Sequence, residues 1–326
     1  MDRRTVLTAL AAAGAASAAP WARAQAANWP DQPVRWVVPY PAGGGTDVLA
    51  RTVAEAMRQT LGQQIVVDNR PGAATNIGGQ MVATSKPDGY TIMSADNAIL
   101  AYNEHLFSKL PFNPEKDFTY VGGISRFPLA LVVHPSFEAK TLKEFLAYAR
   151  ANPGKLNYAS PGNGSPHHLA MEMFKNRTKT FLTHIPYRGA APAMQDVMGG
   201  QVPCMFLDLA AGLPVIQSGK VRALAVGSGK RMAALPDVPT LAEAGVPDTE
   251  VYAFQGILAP AGLPAAITAR LNADLNKALA NPAVVKRMTD FGMEALPGTP
   301  EKFRSMARAE AKRWGEIIQA AGVKLD

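Results

Sequence analysis

The feature that most constrains this chain is a unit that occurs twice: a strand-like run, a glycine-rich turn and a helix start. The first runs from "VRWVVP" (residues 34–39) through "YPAGGG" into "TDVLARTVAEAMRQTLG". The second runs from "KLNYAS" through "PGNGSPHH" into "LAMEMFKN". Leu49, Val53, Met57 and Leu61 recur every four residues and give the first helix one apolar face. Thr46 is its expected N-cap, Asp47 suits the positive first turn, and Gly62 stops it. Strands alternating with helices predict an α/β fold of parallel sheets flanked by helices.

The alternation continues around both units. "QIVVD" and "GYTIMSAD" read as strands of the first module, and "NRPGAATNIGGQMVA" as a turn into a helix. "LALVVHP", "THIPYRG", "VPCMFLD" and "VRALAVG" read as strands of the second. Thr141 and Glu144 form a capping box for a helix running to about Asn152. Further helices are expected through Met198 and near residues 213–218. "YAFQGILAPAGLP" reads as a chain crossing back to the first module, and residues 264–280, 283–291 and 300–321 as helices. Two lobes are expected, 28–124 with 253–326, and 125–252.

Composition narrows the function. The formal charge of +7 comes from 33 basic and 26 acidic residues, with no dense basic run. That argues against nucleic acid and suits the attraction of small anions. Cys204 is the only cysteine, so neither a disulfide framework nor a cysteine metal site is available. Residues 1–24 show Arg3 and Arg4, an Ala-rich apolar stretch over 6–19, and a small-x-small site at Ala22-Arg23-Ala24, with Ala24-Gln25-Ala26 as the alternative. This is the order of a cleaved secretory signal, and the paired arginines lean toward the twin-arginine route. The apolar part is too short to span a membrane permanently. The expected product is soluble and periplasmic.

In open α/β sheets ligands bind at the carboxyl ends of strands, where helix N-termini offer free N–H groups and partial positive charge. Both glycine loops sit at such places, and two of them across a cleft can grip an anion from both sides. "GGGTDV" lacks the G-x-G-x-x-G spacing of a dinucleotide site, although Asp68 lies about the right distance away, and no Gly-Lys-Ser/Thr follows it. An enzyme reading uses Ser165 with His167 or His168, but G-N-G-S-P is not the G-x-S-x-G elbow. His105, His134 and His184 are scattered without metal-ligand spacing. No cofactor or metal is implied.

Taken in order, the export signal, "VPYPAGGGTDVLAR", "NRPGAATNIG", "PDGYTI", "YASPGNGSPHHLAMEMF", "IPYRGAAPAMQDVMGGQV" and "GILAPAGLP" resemble the Bug family, the extracytoplasmic receptors of tripartite tricarboxylate transporters. The resemblance covers nearly all of the mature chain. It implies a type II-like, two-lobe periplasmic binding protein, monomeric and not an enzyme, that closes on a ligand and has a membrane permease as partner. Implied ligands are di- and tricarboxylates, acidic amino acids and aromatic acids. A hydrolase using Ser165 and His168 and a ligand sensor without transport are the rivals.

Carried over by motif, Tyr40, Ala42, Gly43, Gly44 and Thr46 form the first clamp, with Asp47 bracing the loop, and Asn76 joins them. Ser160, Gly162, Asn163, Gly164 and Ser165 form the second. His168, Tyr187, Arg188, Gly189 and Asp208 line or brace the cleft. Tyr187 also suits hinge packing, Arg188 a surface ion pair, and Asp208 a helix cap. Two departures stand out. Tyr40 replaces the family's frequent Phe. "SADNAIL" places Asp96 at a strand end where the family has small or hydroxyl residues. Asp96 is expected either to meet a cationic group of the ligand, to discriminate against a second carboxylate, or to bond its own loop.

Overall fold

The first unit folds as β1 (Val34–Val38) and α1 (Gly45–Leu61) in a computed structural model that describes residues 29–43 and 45–325. The signal reading at 1–24 and the clamp residue Gly44 lie outside the described residues. Leu49, Val53, Met57 and Leu61 are all buried, so the four-residue spacing does mark the packed face. Thr46 is one residue inside the helix and is not its cap. The bond back to the loop comes from Asp47 instead, whose Oδ2 accepts the Gly43 N–H at 2.9 Å.

β2 (Ile65–Asn69) and β3 (Thr91–Asp96) flank β1 in parallel. In the other half β5 (Asn157–Ser160) lies parallel to β6 (Thr183–Pro186) and β7 (Cys204–Asp208). Two strands antiparallel to their neighbours join these groups, β4 (Phe118–Val133) and β9 (Tyr252–Pro260). The resulting order is β2-β1-β3-β9-β4-β7-β5-β6, with β8 (Arg222–Val226) and β10 (Glu294–Ala295) also paired to β4. β4 belongs to both halves: residues 118–128 pair with β9, and 129–133 with β7 and β8.

The sequence pattern predicts only the second half of β4, from Leu129. Gly122, Gly123 and Pro128 hide the rest, because glycine and proline argue against a strand interior. Their reason is tertiary. A Cβ on Gly122 would stand 2.8 Å from Asn272 and 3.0 Å from Leu275 of α8 (Ala265–Leu279). One on Gly123 would stand 2.9 Å from Leu296. The register shifts at both places, where α8 presses on Gly122 and Leu296 on Gly123.

The remaining helices are α2 (Asn76–Ala83), α3 (Asn103–Leu106), α4 (Leu142–Ala151), α5 (Pro166–Thr178), α6 (Ala190–Met198), α7 (Leu209–Gln217), α9 (Pro282–Asp290) and α10 (Pro300–Ala321). The capping box at Thr141 and Glu144 is present. α7 begins four residues before the expected 213, because Asp208 caps it by accepting the Ala211 N–H at 2.8 Å. One core under α1 and α8 gathers Trp36, Met57, Ile92 and Leu271. A larger one runs along the other face through both halves, from Met93 and Tyr102 to Tyr158, Phe174 and Trp314. Each such aliphatic or Phe side chain stabilises the fold by roughly 1.5–3 kcal/mol. No helix among the described residues is long and apolar enough to cross a membrane.

Candidate functional site

The first glycine loop is held from behind. Asp47 is buried and accepts from Gly43 N–H, from Asn69 Nδ2 at 2.9 Å and from Arg51 Nε at 3.0 Å. Asn69 Nδ2 also donates to the Tyr40 carbonyl at 3.0 Å. Burial pushes the Asp47 carboxyl up, but the donors from Arg51, Gly43 and Asn69 outweigh it and hold the group below the usual carboxylate range. The negative charge is thus spent inside the loop, next to the positive helix start. Ala42 and Gly43 stay exposed, and the Thr46 hydroxyl has no partner among the described residues.

Tyr40 and Asp96 meet at the ends of β1 and β3. The Tyr40 hydroxyl donates to Asp96 Oδ2 at 2.5 Å, and the Ala98 N–H donates to Oδ1 at 3.1 Å. Both carboxylate oxygens therefore have internal partners, Ala98 in its own loop and Tyr40 at the end of β1. Burial raises the Asp96 carboxyl, with the Tyr40 and backbone donors opposing it. Opposite Asp96 in the β3–β9 register stands Gln255, and opposite Gln255 in β4 stands Ser125. Gln255 Oε1 and Ser125 Oγ are buried with no hydrogen-bond partner. Nothing in the sequence pattern draws these two together; only the register does.

Asn76 opens α2 as expected, but its Oδ1 accepts from Asn103 Nδ2 at 2.8 Å. The same amide holds the Ala74 carbonyl at 2.8 Å. It fixes three consecutive left-handed residues, Ala73, Ala74 and Thr75, with φ of 46°, 50° and 76°. Each such non-glycine residue costs about 1–2 kcal/mol.

Behind the second loop lies a polar interior. Ser165 caps α5, its Oγ accepting the His168 N–H at 3.3 Å. His168 points inward: its Nδ1 accepts the Gly164 N–H at 3.1 Å, and its Nε2 lies 3.8 Å from Glu172. Ser165 and His168 thus meet through the backbone, not as nucleophile and base. The Ser160 hydroxyl bonds His184 Nε2 at 2.6 Å and accepts the Gly162 N–H at 3.1 Å. The His168 and His184 rings stack at 4.0 Å, and Tyr158 stacks on His184 at 4.8 Å. Tyr158 donates to Glu172 at 2.6 Å, and Lys175 pairs with the same carboxylate at 2.7 Å. Of this ladder the sequence suggested only the loop residues and His168. His184 looked like one scattered histidine, because the stack spans β5, α5 and β6. Asn163, which is exposed, remains at the loop tip.

The other candidates divide. The Tyr187 N–H donates to the Ser160 carbonyl at 2.9 Å, and its hydroxyl to Asp196 at 2.6 Å. The Gly189 N–H donates to the Pro161 carbonyl at 3.0 Å, so both tie the following loop to the clamp. Arg188 is exposed. Asp208 caps α7 and takes the His167 ring at 3.2 Å; burial raises its carboxyl, but His167 and the Ala211 N–H hold it below the usual range.

The two halves meet around these elements. A Cβ on Gly164 would stand 2.8 Å from Leu106 of α3. Gly43 and Gly45 share a pocket of about 220 Å³ with Ala210 and Ala211, in the first turn of α7. Among the described residues no cluster of three or more metal-ligating side chains occurs.

The family model described as "Tripartite tricarboxylate transporter family receptor" matches residues 49–323. Protein BugT of Bordetella pertussis is 36% identical, over 100% of this chain and 99% of that protein. The solved structure of R. palustris Rpa4515 with adipate superposes with a TM-score of 0.86 at 35% identity, covering 91% of this chain and 99% of that one. MatC from Rhodopseudomonas palustris with bound malate gives 0.81 at 34% identity, over 89% and 100%. With the family model matched over residues 49–323 and BugT over the whole chain, the chain belongs to the tripartite tricarboxylate transporter receptor family.

Proposed function

We propose that the protein is a periplasmic receptor that captures a small organic carboxylate between its two halves and delivers it to a membrane permease of the tripartite tricarboxylate type. The observation that carries this is the pair of glycine-rich strand-to-helix loops, residues 40–46 and 160–165, one in each half and each braced by its own buried polar network. Backbone N–H groups, a helix start and hydroxyls suit a carboxylate. The clamp comprises the carried-over residues of both loops, with Asp47, His168, Tyr187, Gly189 and Asp208 bracing them. The adipate and malate bound by the two neighbours support the ligand class. The lobes hinge where β4 passes from β9 to β7 and β8, at residues 128–129, and where the chain enters β9, at 251–252. Ligand bridging both loops biases that hinge toward closure.

Ligand-free protein is tested by thermal shift against succinate, malate, adipate, citrate, aspartate and benzoate. An acid at about 100 times its Kd adds about 2.7 kcal/mol, a shift of several degrees. Incubation with p-nitrophenyl acetate and p-nitrophenyl phosphate separates a receptor, which leaves both intact, from a hydrolase, whose turnover is lost on Ser165→Ala. No shift with any acid, or turnover that Ser165→Ala abolishes, refutes the reading. Loss of uptake on deletion separates transport from sensing.

A further inference from the structure

The pocket beside the first glycine loop has a chemistry of its own. Val48 and Leu49 of α1, Met288 of α9, Phe291 and Met293 line it, and Ala210 and Ala211 close it from the other half. Thr52 also reaches it, but its hydroxyl donates to the Val48 carbonyl at 2.8 Å, within its own helix. The one charged side chain in the lining is Arg287, whose guanidinium lies 5.2 Å from the centre of the Phe291 ring. Arg287 forms no ion pair with an acid among the described residues; the neighbouring acid, Asp290, pairs with Lys286 at 2.6 Å.

We propose that this pocket is the subsite for the apolar body of the ligand, and that Arg287 pairs with a second anionic group at its far end. The inference rests on the carboxylate-receptor reading and deepens it: the ligand is a dicarboxylate with a single ring or a short alkyl chain between its acid groups. Size sets the fit: about 220 Å³ exceeds the roughly 150 Å³ of an apolar cavity that holds benzene, so a single ring or a short alkyl chain has room. Position sets the orientation. Gly43 and Gly45 belong both to the pocket and to the loop that takes the first carboxylate, so head and body are contiguous. Because Ala210 and Ala211 come from the other half, a ligand body seated there touches both halves.

The test is calorimetric titration of succinate, adipate, benzoate and terephthalate into the wild type and three variants, Ala211→Phe, Val48→Phe and Arg287→Gln. The wild type should bind adipate or terephthalate about tenfold more tightly than succinate, the scale of two buried methylenes. Ala211→Phe and Val48→Phe fill the pocket from opposite sides and should each weaken those two acids at least about tenfold, with succinate changing less than about twofold. Arg287→Gln should weaken adipate and terephthalate and leave benzoate unchanged. The two filling variants guard against misfolding of either one. If adipate and succinate bind alike and both filling variants match the wild type, the subsite is overturned while the receptor reading stands. If none of the four acids binds, the subsite falls, and the wider acid panel decides whether the carboxylate reading falls with it.

Discussion

Acidification from about pH 7.5 to 5 probes the interior of the second loop directly. The His168 and His184 rings lie 4.0 Å apart and within 6° of parallel. Burial pushes His168 down to about 4, with Glu172 opposing and Lys175 assisting. Burial and then the neighbouring His168 push His184 down to about 4 as well. In the unfolded chain both titrate near 6.5. As pH falls, the unfolded chain therefore takes up protons first. The stability contributed by the neutral rings is fully present above about 6.5 and is lost as pH falls through about 4. Linkage gives about 2 kcal/mol per ring at pH 5. His184 is partly exposed and the two rings share one stack, so the pair contributes about 2–4 kcal/mol. For a chain of this length that lowers Tm by roughly 3–6 °C. Urea unfolding at half-unit pH steps measures it. The double variant His168→Gln, His184→Gln keeps acceptors for the Gly164 N–H and the Ser160 hydroxyl but cannot titrate, and should flatten the curve. An unchanged wild-type midpoint over this window, or the same slope in the double variant, refutes the reasoning. Ligand affinity of the folded protein should hold over this window, since folded His168 stays neutral down to about 4, and should fall only below it, where a proton on Nδ1 removes the acceptor of the Gly164 N–H.

Two further substitutions test the site's supports. Asn97→Ala removes a fully buried amide that holds the Tyr252 carbonyl at 3.1 Å and the Phe254 N–H at 2.7 Å; with about 1–3 kcal/mol for each group left unpaired, denaturation should show a loss of about 2–5 kcal/mol. Gly164→Ala forces a side chain onto φ of +73° and into Leu106 and Leu325; a stability loss of about 1–3 kcal/mol with weakened acid binding is expected, and unchanged Tm and affinity would show that the loop tolerates a Cβ.

Short-range patterning carried most of what was legible in the chain. The four-residue apolar spacing of α1, the capping box at Thr141 and Glu144, the glycine loops after β1 and β5, and the crossing of β9 back to the first half are decided by local periodicity, turn chemistry and caps, and all can be read before folding. The ordered motifs also disclose the family. Tertiary structure decided what depends on atoms far apart in sequence. Gly122 and Gly123 look like strand breakers until α8 and Leu296 press against them. Thr46 looks like a cap until Asp47 takes the Gly43 N–H. Asp96 shows no partner in the sequence until Tyr40, 56 residues away, donates to it. The histidine ladder joins three elements, and the apolar pocket joins α1, α7 and α9. The physical reason is range: caps, turns and amphipathic faces depend on neighbours within about one helical turn, whereas a residue's final hydrogen-bond partner or cavity wall exists only once packing has brought distant side chains within contact distance.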